Sequence, residues 1–147
     1  MNFTMKSDCF IDTNIWVYAF LEVENSKSKQ QEALELLRNI PPATTINASV
    51  QVINEFHWTL FRKYKIPDDQ IRDKVEKGIA QIATISSLEL SDYRSAFNLR
   101  DRYKLSFWDS LIIASALRNE CTTLYTEDLA HDMLIDRKLR IINPFKQ

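Results

Sequence analysis

Short, continuously apolar runs alternate along this chain with stretches whose apolar residues recur every three to four positions. The first run, Cys9-Phe10-Ile11, is the pattern of a strand buried on both faces and predicts a strand over residues 7–12. A helix from about Asn14 to Leu21 follows, then a polar turn over Glu22–Lys29. Ala33, Leu34, Leu36 and Leu37 mark an amphipathic helix that ends before Pro41-Pro42. The β-branched Thr44-Thr45-Ile46 predicts a second strand. Val50, Ile53, Phe56, His57, Leu60, Phe61 and Tyr64 recur at helical spacing and predict a helix over 48–64. Pro67-Asp68-Asp69 opens another, with proline near the first position and acids complementing the dipole.

Ala83-Thr84-Ile85 reads as a third strand, and residues 90–104 and 106–119 as two further helices. Thr122–Tyr125 predicts a fourth strand and Arg140–Ile142 a fifth, ending at Pro144. Strands alternating with helices imply βαβ units. The expected fold is therefore α/β, a three-layer α/β/α sandwich around a mostly parallel sheet of four to five strands. No repeat, low-complexity tract or linker interrupts residues 1–147, so one domain is expected.

Composition narrows the function. At 147 residues, 45% hydrophobic and 27% charged, the sequence matches an ordinary globular domain. No run approaches the roughly 20 apolar residues of a membrane span, and residues 1–6 lack the apolar core of a secretory signal. A cytoplasmic protein is expected. Cys9 and Cys121 have no cysteine neighbour at metal-ligand spacing and read as reduced, buried thiols. The net charge of −1 argues against nucleic-acid binding by bulk electrostatics, but bound cations can supply positive charge where a phosphate sits. Gly78 is the only glycine, which excludes the glycine-rich phosphate loops of ordinary NTPases and dinucleotide enzymes.

Candidate chemistry lies in four acids. Asp12 closes the first predicted strand, where open α/β sheets bind ligands. Glu55 flanks a helical apolar stripe, Asp109 begins a helix and Asp128 follows the fourth strand. Each has a structural alternative. Asp12 suits a helix N-cap, Ser106 and Asp109 match a capping-box spacing, Asp128 suits a turn cap, and Glu55 can reach water from the edge of its stripe. Convergence of all four on one sheet edge would need a cation to offset like charges, and hard divalent ions prefer such oxygen ligands. His57 and His131 lack metal-ligand spacing, and no serine stands in a nucleophile-elbow context. Arg62-Lys63-Tyr64-Lys65 reads as the solvated end of a helix.

Asp12-Thr13-Asn14, Asn54-Glu55, Ser106-Phe107-Trp108-Asp109-Ser110 and Thr126-Glu127-Asp128 together resemble the four acidic motifs of the PIN-domain family. The likeness runs from Ser7 to Phe145 and is greatest to the VapC-type toxins of bacterial toxin–antitoxin pairs. The resemblance maps the family's acids onto Asp12, Glu55, Asp109 and Asp128, with Asn14 and Thr126 as supporting polar residues. Glu127 and Asp128 compete for the fourth position, and family spacing favours Asp128. It implies a Mg²⁺- or Mn²⁺-dependent endoribonuclease leaving a 5′-phosphate and a 3′-hydroxyl, a homodimer, and inhibition by a cognate antitoxin. Asp12 and Asp109 would be the principal metal ligands, directly or through water, and Glu55 and Asp128 would complete the outer coordination or orient the attacking water.

Three rivals stand beside this reading. A HAD-type phosphatase needs a second aspartate where this chain has Asn14, and a receiver domain needs a lysine where it has Asn143-Pro144. A catalytically silent PIN scaffold that binds protein or RNA is the non-enzyme alternative. Trp16, Tyr18 and Phe20 carry more aromatic surface than a sheet-packing helix needs, so part of it is expected to line a partner groove or dimer contact, with Trp16 as the residue to test and ordinary core as the alternative.

Overall fold

The computed structural model describes residues 7–22 and 24–146, with the side chain of Glu24 excepted. Residues 1–6, read above for a targeting signal, lie outside the described residues.

Strand β1 (Cys9–Ile11) leads into helix α1 (Thr13–Phe20), a 3₁₀ turn (Glu24–Ser26) and α2 (Lys27–Asn39). Strand β2 (Ile46–Ser49) runs directly into α3 (Val50–Arg62), followed by α4 (Asp68–Lys74), a π turn (Val75–Ile79), the short α5 (Ala80–Ile82) and β3 (Thr84–Ser86). Helices α6 (Leu90–Tyr103) and α7 (Phe107–Arg118) precede β4 (Thr123–Tyr125), β5 (Leu134–Ile135) and β6 (Leu139–Ile142). The six strands form one sheet in the order β3-β2-β1-β4-β6-β5. Every pairing is parallel except β5 with β6.

This order fixes the layers. The chain steps from β1 through β2 to β3 in one direction, then returns across the sheet to β4 and continues to β6. Right-handed crossovers, the rule for parallel strands, put α1 to α5 on one face and α6 with α7 on the other. The packing agrees: α1 lies against α2 and α3, α3 against α4, and α6 against α7. The direction of travel reverses between β1 and β4, which are hydrogen-bonded neighbours. A crevice at the carboxyl ends of those two strands is the topological switch point, where open α/β sheets bind ligands.

The core is a continuous apolar body in which Phe10, Ile11, Ile15, Trp16, Val52, Phe56, Leu60, Ile113 and Leu124 are buried. Trp16 corrects an expectation: it is fully buried, its Nε1 donating to Ile11 O at 3.0 Å and its ring stacked on Phe20. Helix α1 is sandwiched between the sheet and both α2 and α3, so it needs apolar groups on most sides. The lone Gly78 lies in the π turn, where a Cβ would meet the Phe20 ring at 2.5 Å; the missing side chain lets that ring pack between Trp16 and Phe56.

The second strand begins at Ile46 and ends at Ser49, later than the Thr44–Ile46 expected. Its ladder is set by Cys9 opposite Ile46 and Phe10 opposite Asn47, while Thr45 N–H is diverted to the Asp8 carboxylate at 3.1 Å. The sheet also has one strand more than the four to five expected. Leu134–Ile135 is too short to carry a period of its own and exists by pairing with Leu139–Arg140. The polar stretch 22–29 contains a 3₁₀ turn and the start of α2, where a plain turn was expected. Cys9 and Cys121 are free buried thiols, and the Asn47 amide donates to Cys121 Sγ at 3.4 Å. No helix among the described residues is long and apolar enough to cross a membrane.

Candidate active site

Asp12 immediately follows β1, its backbone N–H still bonded to Tyr125 O of β4 at 3.0 Å. Its side chain caps α1, accepting from Thr13 N at 2.7 Å through Oδ1, while Oδ2 accepts from Thr126 Oγ1 at 2.8 Å. The capping alternative for Asp12 is observed, and it is compatible with the site reading. The carboxyl is only 5% exposed. Burial pushes it from 3.8 up to about 7, the charges of Glu55 and Asp128 adding to the rise, against the two hydrogen bonds that favour the ionised form.

The other three acids stand on different elements and sense one another's charge. Glu55 is half-buried on α3 and held up by burial, with Asp109 and Asp128 as further causes. Asp128 follows β4 and is raised by burial and by the charges of Asp109 and Glu127. Asp109 sits in the first turn of α7, whose N-cap Ser106 accepts its backbone N–H at 3.1 Å. Among the described residues no reciprocal bond from the Asp109 carboxylate completes a capping box, which leaves that carboxylate available to the crevice. Like charges felt between Asp12 and Glu55, Asp12 and Asp128, Glu55 and Asp109, and Asp109 and Asp128 make one electrostatic cluster.

The supporting residues lock the two strand ends together. Thr126 Oγ1 donates to Asp12 and accepts from Asp128 N at 3.2 Å, so one hydroxyl sets the spacing of both acids. Asn14 Oδ1 accepts from Glu127 N at 3.4 Å. Its Nδ2 is buried without a partner at hydrogen-bond distance, yet leans toward Asp128 closely enough to oppose the rise in that carboxyl. Glu127 turns elsewhere: it accepts from Tyr18 OH at 2.8 Å and forms a close ion pair with Lys29. With its charge already matched, Glu127 has little to offer a cation, and the geometry favours Asp128 at the fourth position.

One residue of this crevice escaped the sequence reading. Gln51 is 4% exposed, and its Nε2 donates both to Glu55 Oε1 at 3.0 Å and to Trp108 O at 3.2 Å. It ties α3 to the first turn of α7 and so fixes Glu55 relative to Asp109. The signal was present as an i, i+4 Gln–Glu pair, a spacing that places the two side chains together on a helix. The histidines stand apart: His57 bonds Asp68 at 2.8 Å, and His131 Nδ1 accepts from Asn143 N at 3.0 Å. Arg62 and Lys63 end α3 in solvent, over the rings of Trp58 and Tyr64.

The donor set suits a hard divalent cation, because every candidate atom is a carboxylate oxygen. Among the described residues no three His, Cys, Asp or Glu side chains stand close enough together to grip an ion directly. An ion held here would keep several of its waters and take one or two carboxylates directly, a mode open to Mg²⁺. The carboxyls held high by burial and mutual repulsion are the groups a cation would return to their ionised form.

Fold and charge pattern define the class: an α/β protein with coupled acids around the switch point of a mostly parallel sheet. The PIN domain family model matches residues 9–133, and the chain belongs to that family. A toxin–antitoxin complex from Klebsiella pneumoniae contains a similar chain, with TM-score 0.69 and 20% identity over 95% of this chain and all of that one. Mycobacterium tuberculosis VapC20, a toxin that cleaves the sarcin–ricin loop, superposes with TM-score 0.66 and 16% identity over 82% of this chain and 92% of its own. VapBC2 from Rickettsia felis, bound to a DNA fragment from its promoter, gives TM-score 0.58 and 19% identity over 92% and 98%. No curated protein matches the chain at a significant level.

Proposed function

We propose that this protein is a Mg²⁺- or Mn²⁺-dependent endoribonuclease and the toxin of a toxin–antitoxin pair. The observation that carries the reading is the electrostatic convergence of Asp12, Glu55, Asp109 and Asp128 at the switch point. Crowded carboxyls with no basic partner among them are costly in a fold that gains nothing from them. Membership of the PIN family supports nuclease chemistry, and the similar structures supply the toxin context.

A divalent ion bound there would supply positive charge for the phosphate and a water acidified enough to attack it. Asp12 and Asp109 would hold the ion, directly or through its waters, from the ends of β1 and the start of α7. Thr126 and Thr13 hold the Asp12 carboxylate in one orientation by hydrogen bonds to both oxygens. Glu55, steadied by Gln51, and Asp128, steadied through Thr126, would orient the attacking water or complete the outer coordination. The partners of this reading are an RNA substrate, a cognate antitoxin and a second copy of the chain.

The test is cleavage of total and synthetic RNA by purified, antitoxin-free protein in EDTA, Mg²⁺ and Mn²⁺, beside Asp109→Asn. Metal-dependent cleavage that Asp109→Asn abolishes without loss of fold is the expected result. Metal-independent cleavage, or cleavage by Asp109→Asn at the wild-type rate, would remove the assignment. A well-folded wild type inactive with either metal would favour the silent scaffold.

A further inference from the structure

Three aromatic rings stand in a row at the start of α7, whose first turn also carries Asp109. Trp108 is 63% exposed and packs edge-on against Phe107 at 5.3 Å between centroids. Phe107 in turn packs edge-on against Tyr93 of α6 at 6.2 Å, and Tyr93 is 51% exposed. Burying the Trp108 indole would remove a large apolar area from water, yet nothing in the described chain covers it.

The position of Trp108 is fixed to the site in two ways. It is one peptide unit, about 3.8 Å between Cα atoms, from the metal-ligand candidate Asp109. Its carbonyl oxygen accepts the Gln51 Nε2–H that also holds Glu55. The Trp108 peptide is therefore on the same helix turn as one acid and is linked through Gln51 to a second.

We propose that Trp108, braced by Phe107 and Tyr93, is a stacking platform for a nucleobase of single-stranded RNA that flanks the scissile phosphate. This rests on the nuclease reading above. Bases offer a π-face whatever their identity, so stacking on an indole adds affinity without demanding sequence. It also solves a problem of this chain, whose net charge of −1 gives little general attraction for RNA. Metal in the crevice would hold the phosphate, and the indole beside Asp109 would hold the adjacent base, fixing which linkage lies over the acids. Leu90 and Phe97 extend the exposed apolar row along α6 and suit protein contact. Trp108 differs from them in being bonded through its own peptide to the acid-bearing elements.

The experiment uses the cleavage-dead Asp12→Asn protein with a fluorescein-labelled single-stranded RNA 12-mer in Mn²⁺. Trp108→Ala should weaken binding about 10-fold, the scale of one base–aromatic stack. Trp108→Phe should recover most of that loss. Replacing successive nucleotides by abasic ones should reveal a single position whose loss weakens Asp12→Asn but not Asp12→Asn/Trp108→Ala. In a Trp58→Phe background, with Trp16 buried, RNA should quench the emission of Trp108. Equal affinity of the Trp108→Ala and parent proteins would overturn the platform while leaving the nuclease reading standing. So would sedimentation velocity showing a dimer that Trp108→Ala alone dissociates, because a second copy would then cover the ring. Failure of the dead protein to bind RNA with or without metal would overturn the platform, and the nuclease reading would then stand or fall on the cleavage test alone.

Discussion

Replacing Asp12 by asparagine separates the stability of this fold from its chemistry. In metal-free protein the carboxyl is buried and moved from 3.8 to about 7, a rise of about three units caused first by burial. The native state therefore holds this proton more tightly than the unfolded chain. Below pH 4 both states are protonated and no penalty exists. Between about pH 4 and 7 the unfolded chain ionises while the native carboxyl does not, so stability falls by about 1.4 kcal/mol per pH unit. Above pH 7 the loss levels off at about 4 kcal/mol. Asparagine keeps the shape: its Oδ1 can still accept from Thr13 N, and its Nδ2 can donate to Thr126 Oγ1 with the hydroxyl turned. Asp12→Asn should thus match wild type near pH 4 and exceed it at pH 8 by a few kcal/mol, with Tm higher by on the order of 10 °C. Urea unfolding across pH 4–8 in EDTA measures both curves. Parallel curves, or a variant less stable than wild type at pH 8, would show that Asp12 is ionised in the native state and that its cap outweighs its burial. RNA cleavage in Mg²⁺ should be lost in the same variant whatever its stability.

Three further outcomes follow from the same geometry. Arg118→Ala should cost about 3 kcal/mol, read by urea unfolding, because Asp92 is buried and takes Arg118 Nε and Nη2 at 2.8 and 3.0 Å; a loss under 1 kcal/mol would mean water replaces the guanidinium. Gln51→Ala should lower kcat for RNA cleavage about 10-fold with a smaller effect on KM, since Glu55 and the first turn of α7 lose their common tether; unchanged kcat in a folded variant would show that Glu55 needs no positioning. Cys9 and Cys121, whose thiols burial pushes up to about 11 and about 12, should resist a disulfide reagent at pH 8 until urea unfolds the chain, and rapid labelling of native protein would contradict their burial.

Much of this architecture was legible in the order of residues because local periodicity and capping agree with the fold. The continuous apolar run at Cys9–Ile11, the helical stripe of α3 and the Ser106 cap of α7 each name their element without tertiary information. The residue types of the four acids were likewise visible, as were the places of Asp12 and Asp128 after strands, Asp109 at a helix start and Glu55 beside a helical stripe. Other features depend on contacts between distant segments. Strand β5 exists only through its pairing with β6, and the start of β2 is set by Cys9 lying opposite Ile46. Trp16 looked like surface on a helix taken alone, but packing of α2 and α3 around α1 buries it. Nothing local distinguishes Glu127 from its neighbour Asp128. Lys29 and Tyr18, remote in sequence, neutralise the first, while the second is left to face Asp109. Sequence fixes which groups can ionise and which elements carry them; only the tertiary fold sets how near like charges lie and how little water reaches them, and those two quantities raise Asp12 to about 7.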